Sequence, residues 1–318
     1  MKIFLLGLLL LLALGGVGAC VHSAIYTSNV EEKYPPVGEF VEVNGAKVHV
    51  ITAGETGPPV LMIHGASANA REYTFTLAPR LEENFRVLMA DRPGHGYSTR
   101  PEDDEELGVQ AAQMAGVLRA FAPGEKAVVV GHSYGGAVAL RLALDFPDMV
   151  SGVVLLSPVT HDWGGGGEAW YNKVAGPPII GPVFSQLVPL VGPSMVKSGV
   201  DGVFDPREAP EDYYAEAAIG LLFRPPNFRA NADQMNALRG ELAAQQSRYP
   251  ELDMPVVLYS GAKDTVIDPK LHAGKIKTQV TDFDLVKLPD TGHMPHHAHG
   301  GDVADTIRRL ADGADQSS

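Results

Sequence analysis

The segment Gly131-His132-Ser133-Tyr134-Gly135-Gly136 sets a serine among glycines, after the apolar run Ala127–Val130 and before the small-residue run Gly135–Leu144. Read as strand, sharp turn and helix, it presents the Ser133 hydroxyl at a strand end, where glycines relieve crowding. The helix start aims free amides and a positive dipole end at the same spot. A serine hydroxyl is a poor nucleophile at neutral pH and needs a base. His293, in Gly292-His293-Met294, lies in the loop after the last expected strand and supplies one. An acid must then orient that ring. Asp264, in Ser260-Gly261-Ala262-Lys263-Asp264, follows the preceding strand and is favoured over two others. Asp268 fits the same description, and Asp162, just past Ser157-Pro158, also lies at a strand end.

Acyl chemistry further needs donors for the developing oxyanion. Backbone amides of Ala66, behind His64-Gly65, and of Tyr134 are the expected pair. The tract His296-His297-Ala298-His299 has metal-binding residue types. It reads instead as a polar surface loop beside His293, with His296 at the pocket rim, and no metal site is assigned.

The scaffold that must hold these residues is legible in the periodicity. Phe40–Val43 and Lys47–Thr52 alternate around Asn44-Gly45, a hairpin signal. Val60–Ile63, Phe85–Ala90, Ala127–Val130, Val150–Leu156, Pro255–Tyr259 and Phe283–Leu288 read as further strands. Arg71–Leu81, Leu107–Phe121, Gly135–Leu144 and Asp302–Leu310 read as helices between or after them. Fully apolar strands alternating with helices predict an α/β fold: a mostly parallel, eight-stranded sheet covered on both faces. That core spans 38–158 and 251–312. Residues 159–250 interrupt the alternation with prolines, aromatics and helix-like pieces such as Glu211–Leu222 and Asn231–Ala244, and form a helical insertion.

Residues 1–20 read as a signal peptide or membrane anchor, since Ile3 to Val21 carries no charged side chain. Val17-Gly18-Ala19-Cys20 is similar to a bacterial lipoprotein cleavage box, which makes Cys20 a candidate for lipidation. Residues 21–37, ending in Pro35-Pro36, read as a polar tether. The folded part is thereby expected to be exported or membrane-associated. Cys20 is the single cysteine, which rules out an internal disulfide and Cys-rich zinc sites. A net charge of −13 without a basic run excludes nucleic-acid binding on electrostatic grounds.

From Gly38 to Leu310 the chain resembles the α/β-hydrolase superfamily, as a serine hydrolase with a helical lid. The resemblance rests on His64-Gly65, Asp91-Arg92-Pro93-Gly94-His95-Gly96-Tyr97-Ser98, Gly131–Gly136, Gly261–Asp264 and Gly292-His293, in that order. It implies the chain order nucleophile, acid, base for Ser133, Asp264 and His293, and a structural rather than catalytic role for Asp91 and His95. Serine at the nucleophile position disfavours the haloalkane dehalogenases and epoxide hydrolases of the fold. Met294 after His293, where ring-cleaving C–C hydrolases carry tryptophan, weakens that reading. The implied activity is hydrolysis of a small, apolar carboxylic ester through an acyl-enzyme on Ser133, without metal or organic cofactor. Acyltransferase, perhydrolase or C–C hydrolase chemistry on the same triad, or ligand binding without catalysis, are the alternatives.

Overall fold

The computed structural model describes residues 2–166 and 169–315, the side chains at 2, 3, 6, 8–12, 314 and 315 excepted. Eight strands form one sheet: β1 Glu39–Val43, β2 Ala46–Ala53, β3 Pro59–Ile63, β4 Arg86–Ala90, β5 Ala127–His132, β6 Val150–Leu156, β7 Val256–Gly261 and β8 Phe283–Leu288. Their spatial order is β1-β2-β4-β3-β5-β6-β7-β8. β1 and β2 pair antiparallel through the Asn44-Gly45 turn, β2 runs antiparallel to β4, and the rest is parallel. Both turn residues have positive φ, 50° and 79°, as a two-residue hairpin of this twist demands.

Alternate residues of the central strands feed two separate cores. Leu61, Ile63 and Val129 face one core, beneath α2 (Leu107–Phe121) and α3 (Tyr134–Asp145). Val60, Met62, Val128 and Val130 face the other, beneath α11 (Gly300–Asp315). The strictly two-residue side-chain period of a strand explains why runs such as Val60–Ile63 show no polar alternation. Between β6 and β7 the chain leaves the sheet and forms α4 (Trp170–Ala175), α5 (Ile180–Ser185), α6 (Val188–Phe204), α7 (Tyr213–Glu216) and α8 (Pro225–Gln245). This insertion has a core of its own, including Val188, Phe204, Tyr213, Phe223 and Phe228, and it takes in Met294 from the loop after β8. α9 (Pro269–Ile276) and α10 (Pro295–Ala298) complete the core region.

Three expectations need correction. Arg71–Leu81 is not a helix but two 3₁₀ turns, Ala70–Tyr73 and Ala78–Arg80, the second opening on a Pro79 that cannot donate a helical hydrogen bond. Glu211–Leu222 breaks at Ala218, which adopts a left-handed φ of 46° between α7 and a 3₁₀ turn. The segment expected as a polar tether is helical for most of its length: α1 runs from Lys2 to Lys33. Ser23, Val30 and Tyr34 are buried, and the Tyr26 hydroxyl donates to the Gly220 carbonyl (3.0 Å). Tyr26, Val30 and Tyr34 recur every four residues, so one stripe faces the insertion while Glu31 and Lys33 stay outside. Arg224 pairs with Glu31 at 2.7 Å across this junction.

Among the described residues no helix is long and apolar enough to cross a membrane. Several large apolar side chains do face outward on α1 and on α5–α6, among them Val17, Val21, Ile179, Val183, Val191 and Met195. The stretch 174–196 carries no charged residue.

Candidate active site

Ser133 joins β5 to α3 at φ 52° and ψ −116°, a left-handed, strained conformation for a non-glycine residue. The glycines around it are required by contact. A Cβ on Gly131 would meet the Gly135 carbonyl at 2.5 Å, and one on Gly135 the Ile63 carbonyl at 2.1 Å. The turn is therefore as tight as main chain allows. As the first residue of α3, Tyr134 has an amide with no acceptor inside the helix.

The loop after β3 passes directly beside this turn. A Cβ on Gly65 would lie 3.2 Å from the Ser133 Cβ and 3.0 Å from His132 Nδ1. The Gly65 carbonyl points away, since it accepts from Arg92 Nη2 (3.1 Å) and His64 Nδ1 (2.8 Å). In a trans peptide the next N–H is antiparallel to that carbonyl, so the Ala66 amide is turned to the opposite side. The His64 tautomer is fixed, because its Nε2 accepts from the Arg92 amide (2.9 Å). Burial, with Arg92 and His95 alongside, keeps His64 well below its ordinary pKa and hence neutral.

Arg92 is a buried cation with no carboxylate in direct contact among the described residues. It donates to the His64 carbonyl (3.1 Å), Gln110 Oε1 (3.0 Å) and Gln234 Oε1 (2.7 Å), and its guanidinium stacks 4.1 Å over the Tyr134 ring. Burial lowers its pKa to about 10, which leaves it charged at neutral pH. It thus touches the Gly65–Ala66 peptide and the ring of Tyr134, and Gln234 ties it to α8 of the insertion. Asp91 is engaged in holding its own loop: Oδ1 accepts from the Ala70 amide (2.7 Å), and Oδ2 from the Tyr97 amide (2.9 Å) and His49 (2.7 Å). His95 is buried and its pKa is lowered to about 3, the ring bonding the Pro93 carbonyl.

The structure brings Asp264 and His293 together. Asp264 Oδ2 lies 2.8 Å from His293 Nδ1, with both side chains nearly inaccessible. The loop carrying His293 is held from several sides: a Cβ on Gly261 would strike the Gly292 carbonyl at 2.0 Å, and Lys263 donates to the Thr291 carbonyl (3.0 Å). The His293 amide itself donates to Val203 of α6 (3.1 Å). The other candidate acids are elsewhere. Asp268 caps α9 through the Lys270 amide (2.9 Å), and Asp162 pairs with Arg239 (2.8 Å) on a polar cleft.

His132 and Glu72 were not singled out in the sequence. His132 Nε2 donates to the His293 carbonyl (2.9 Å), linking the Ser133 turn to the His293 loop, and its ring lies 5.0 Å from that of His293. The tract expected as a surface loop is in fact partly interior: His296 is 1% exposed, and His296 and His297 both bond Glu72. Glu72, His296 and His297 offer ligand atoms within 4.8 Å of one another. Both Nε2 atoms, however, stand at 3.0 and 2.6 Å from one carboxylate oxygen, and Tyr213 donates to the other at 2.7 Å. Tetrahedral ligands about 2.0–2.1 Å from zinc would stand roughly 3.3 Å apart. The set is arranged as a hydrogen-bonded cluster. Beside it lies a cavity of ≈ 410 Å³ lined by Phe204, Arg207, Met294 and His297 among others.

A mostly parallel sheet with a serine turn after its central strand, and an Asp–His pair on the loops after β7 and β8, defines the α/β-hydrolase class of architecture. The sequence pattern of the "Alpha/beta hydrolase family" matches residues 60–306, and the chain belongs to that family. A Mycobacterium tuberculosis protein described as uncharacterized is 28% identical over 295 residues, covering 89% of this chain and 83% of its own length. Among solved structures, the epoxide hydrolase CorEH superposes with a TM-score of 0.72 at 20% identity, over 86% of this chain and 98% of that one. A membrane phospholipase A, titled a novel bacterial virulence factor, superposes with a TM-score of 0.63 at 23% identity, over 99% of each chain. At such identities the two structures share the fold.

Proposed function

We propose that the chain is a serine hydrolase of carboxylic esters. Ser133 Oγ attacks the ester carbonyl while His293 takes its proton, and Asp264 holds the imidazole in the required tautomer. The carbonyl oxygen, now an oxyanion, accepts from the amides of Ala66 and Tyr134, donors typically worth about 10²–10³ each in rate. His293 then protonates the departing alkoxide, leaving an acyl group on Ser133. Water, deprotonated by His293, attacks that acyl carbon, and the carboxylic acid leaves as Ser133 regains its proton.

The observation that carries this reading is the 2.8 Å contact between Asp264 and His293, on the loops neighbouring a serine held at φ 52°. A serine at this turn forms an ester intermediate that water can discharge, which favours acyl hydrolysis over the epoxide or halide chemistry found on the same fold. The insertion is read as a lid. We place its work at a lipid surface, with α1 as the attached segment. Support comes from the uncharged run 3–21 and from the outward apolar side chains of α1, α5 and α6. On this reading the folded part lies outside the cytoplasm or at a membrane face, with Cys20 exposed and free for lipidation.

The test is turnover of p-nitrophenyl esters of rising chain length, with Ser133→Ala beside it and a fluorophosphonate probe for the serine. Turnover that vanishes in the variant supports the proposal, and the best chain length sizes the acyl pocket. Labelling of Ser133 without ester turnover turns the reading toward acyl transfer or another substrate. Equal inertness of both proteins, with no labelling, removes it in favour of ligand binding. Flotation of the full chain with phosphatidylcholine vesicles tests the lipid reading, which fails if the protein stays at the bottom of the gradient.

A further inference from the structure

We propose that the buried carboxylate of Glu72 is a positioning residue that latches the helical lid to the loop carrying His293, so that lid closure and seating of the base are one event. This rests on the hydrolase reading above and deepens it.

Glu72 lies in the 3₁₀ turn Ala70–Tyr73, six residues past Ala66, and is 1% exposed. Its two oxygens divide their partners. Oε1 accepts from Nε2 of His296 (3.0 Å) and of His297 (2.6 Å), on the short helix that begins two residues beyond His293. Oε2 accepts from the hydroxyl of Tyr213, the first residue of α7 in the lid (2.7 Å). One carboxylate thus joins sheet, base loop and lid.

The surrounding contacts make the joint stiff. Phe204, Tyr213 and His297 form an edge-to-face triangle, with ring centroids 4.9 to 5.4 Å apart. The His132 ring stands 4.9 Å from His296 and 5.0 Å from His293, and donates to the His293 carbonyl. On its other side His293 is held by Val203 of the lid, through the amide. The base therefore has a lid contact of its own and reaches Glu72 through its neighbours.

Electrostatics give the latch its direction. Burial opposes charge on Glu72, but the hydrogen bonds from His296 and His297 outweigh it and hold the carboxyl well below the usual range. Burial meanwhile lowers His296 to about 4, so the carboxylate stands against a neutral His296 ring. A buried carboxylate is tolerated only while its lone pairs are met. A lid that swings away takes the Tyr213 hydroxyl with it and leaves Oε2 unmet, so the closed lid is favoured. Closure also brings Val203 onto the His293 amide. Substrate that holds the lid shut in this way steadies the base, a gating role known for lids in general.

The test uses the full chain as wild type, Tyr213→Phe and Glu72→Gln. Hydrogen exchange is followed in residues 204–223 and 292–299, and kinetics on a long-chain p-nitrophenyl ester. Tyr213→Phe deletes one hydroxyl without leaving a large cavity. It is expected to speed exchange in both segments by roughly ten- to a hundredfold, the span for losing a hydrogen bond to a buried charge. Its kinetic loss should fall mainly on KM. Glu72→Gln, which loses the charge but keeps one acceptor, should lower kcat as well. Faster exchange in 204–223 alone, or a loss in kcat/KM with KM untouched in Tyr213→Phe, overturns the latch. Should Glu72→Gln not fold, Tyr213→Phe decides by itself. An inert wild type would sink the ester reading while the exchange result still tests the coupling, so the two failures are distinct.

Discussion

Asp264 and His293 share a bond that also fixes the acid's own turn. Oδ1 of Asp264 accepts from the amides of Val266 (2.9 Å) and Ile267 (3.1 Å), and Oδ2 is thereby aimed at Nδ1 of His293 (2.8 Å). A residue that caps its own backbone has little freedom to turn, so the imidazole it faces is held as well. The capping and orienting roles of this aspartate are complementary.

Asp264→Asn separates them. The amide oxygen can keep both backbone bonds, while the amide nitrogen faces Nδ1 and favours the tautomer with hydrogen on Nε2, which cannot take the Ser133 proton. The expected loss is about 10⁴-fold in kcat, as for tautomer reversal in serine triads. Thermal stability should change by no more than a few degrees. Steady-state ester turnover beside a melting curve checks both, and a kcat within tenfold of wild type would sink the assignment of Asp264.

Gly65→Ala tests the neighbouring loop. The new methyl would lie 3.0 Å from His132 Nδ1 and 3.2 Å from the Ser133 Cβ, close enough that loop or turn must shift by tenths of an ångström. Overpacking of this kind costs about 1–3 kcal/mol. The larger effect should be on rate, because Ala66 N–H and Ser133 Oγ share the displaced geometry, and misalignment of about 1 Å can cost roughly 10²-fold. Kinetics together with urea denaturation would show it. A variant that loses stability but keeps its kcat would mean that the loop does not position an oxyanion donor.

Much of the frame behind these predictions is legible in the sequence, for a physical reason. Fully buried strands such as Val128–Val130 must be apolar on both sides, and the glycines about Ser133 are forced by main-chain contacts, so both leave marks at fixed spacing. What escapes is long-range pairing of polar groups. Nothing local says that Glu72 meets His296 and His297, more than two hundred residues away, or that Arg92 spends its donors on carbonyls and glutamines. The segment 21–37 shows a different gap. Tyr26, Val30 and Tyr34 do recur at helical spacing, but Glu31, Glu32 and Lys33 make the segment polar overall and the partner surface on the insertion has no local signature.

Arg92 offers a test of how the oxyanion side is built. Arg92→Met fills similar space but leaves the His64 carbonyl and two glutamine oxygens without their donor, and the Gly65 carbonyl with His64 Nδ1 alone. Each buried neutral acceptor left unsatisfied costs about 1–3 kcal/mol. Arg92→Lys should recover little, since an ammonium cannot reproduce the planar fork or the stack on Tyr134. Urea denaturation of both variants checks the ranking. A lysine variant as stable and as active as wild type would show that charge alone is required there.

Acid should weaken the fold in a definite window. Burial lowers His272 to about 4, below its ordinary 6.5, and its Nδ1 accepts from the Thr160 amide (3.0 Å), which a protonated ring could not do. His296 is likewise lowered to about 4. The folded values lie below the unfolded one, so the unfolded chain binds protons first as pH falls. Stability from these groups is complete above about pH 6.5 and is lost between about 6.5 and 4, at up to roughly 1.4 kcal/mol per pH unit for each residue. Carboxylates such as Asp145, held below its usual value despite burial by the hydrogen bonds from Arg248 and Arg141, act below that window. His272→Asn retains an acceptor near the Nδ1 position and does not titrate there. Unfolding free energies at pH 7, 5.5 and 4.5 should therefore fall less steeply for the variant, by up to about one proton's worth of slope. Identical slopes for the two proteins would mean that His272 takes up its proton as readily in the fold as in the unfolded chain, contrary to its role as an acceptor for Thr160.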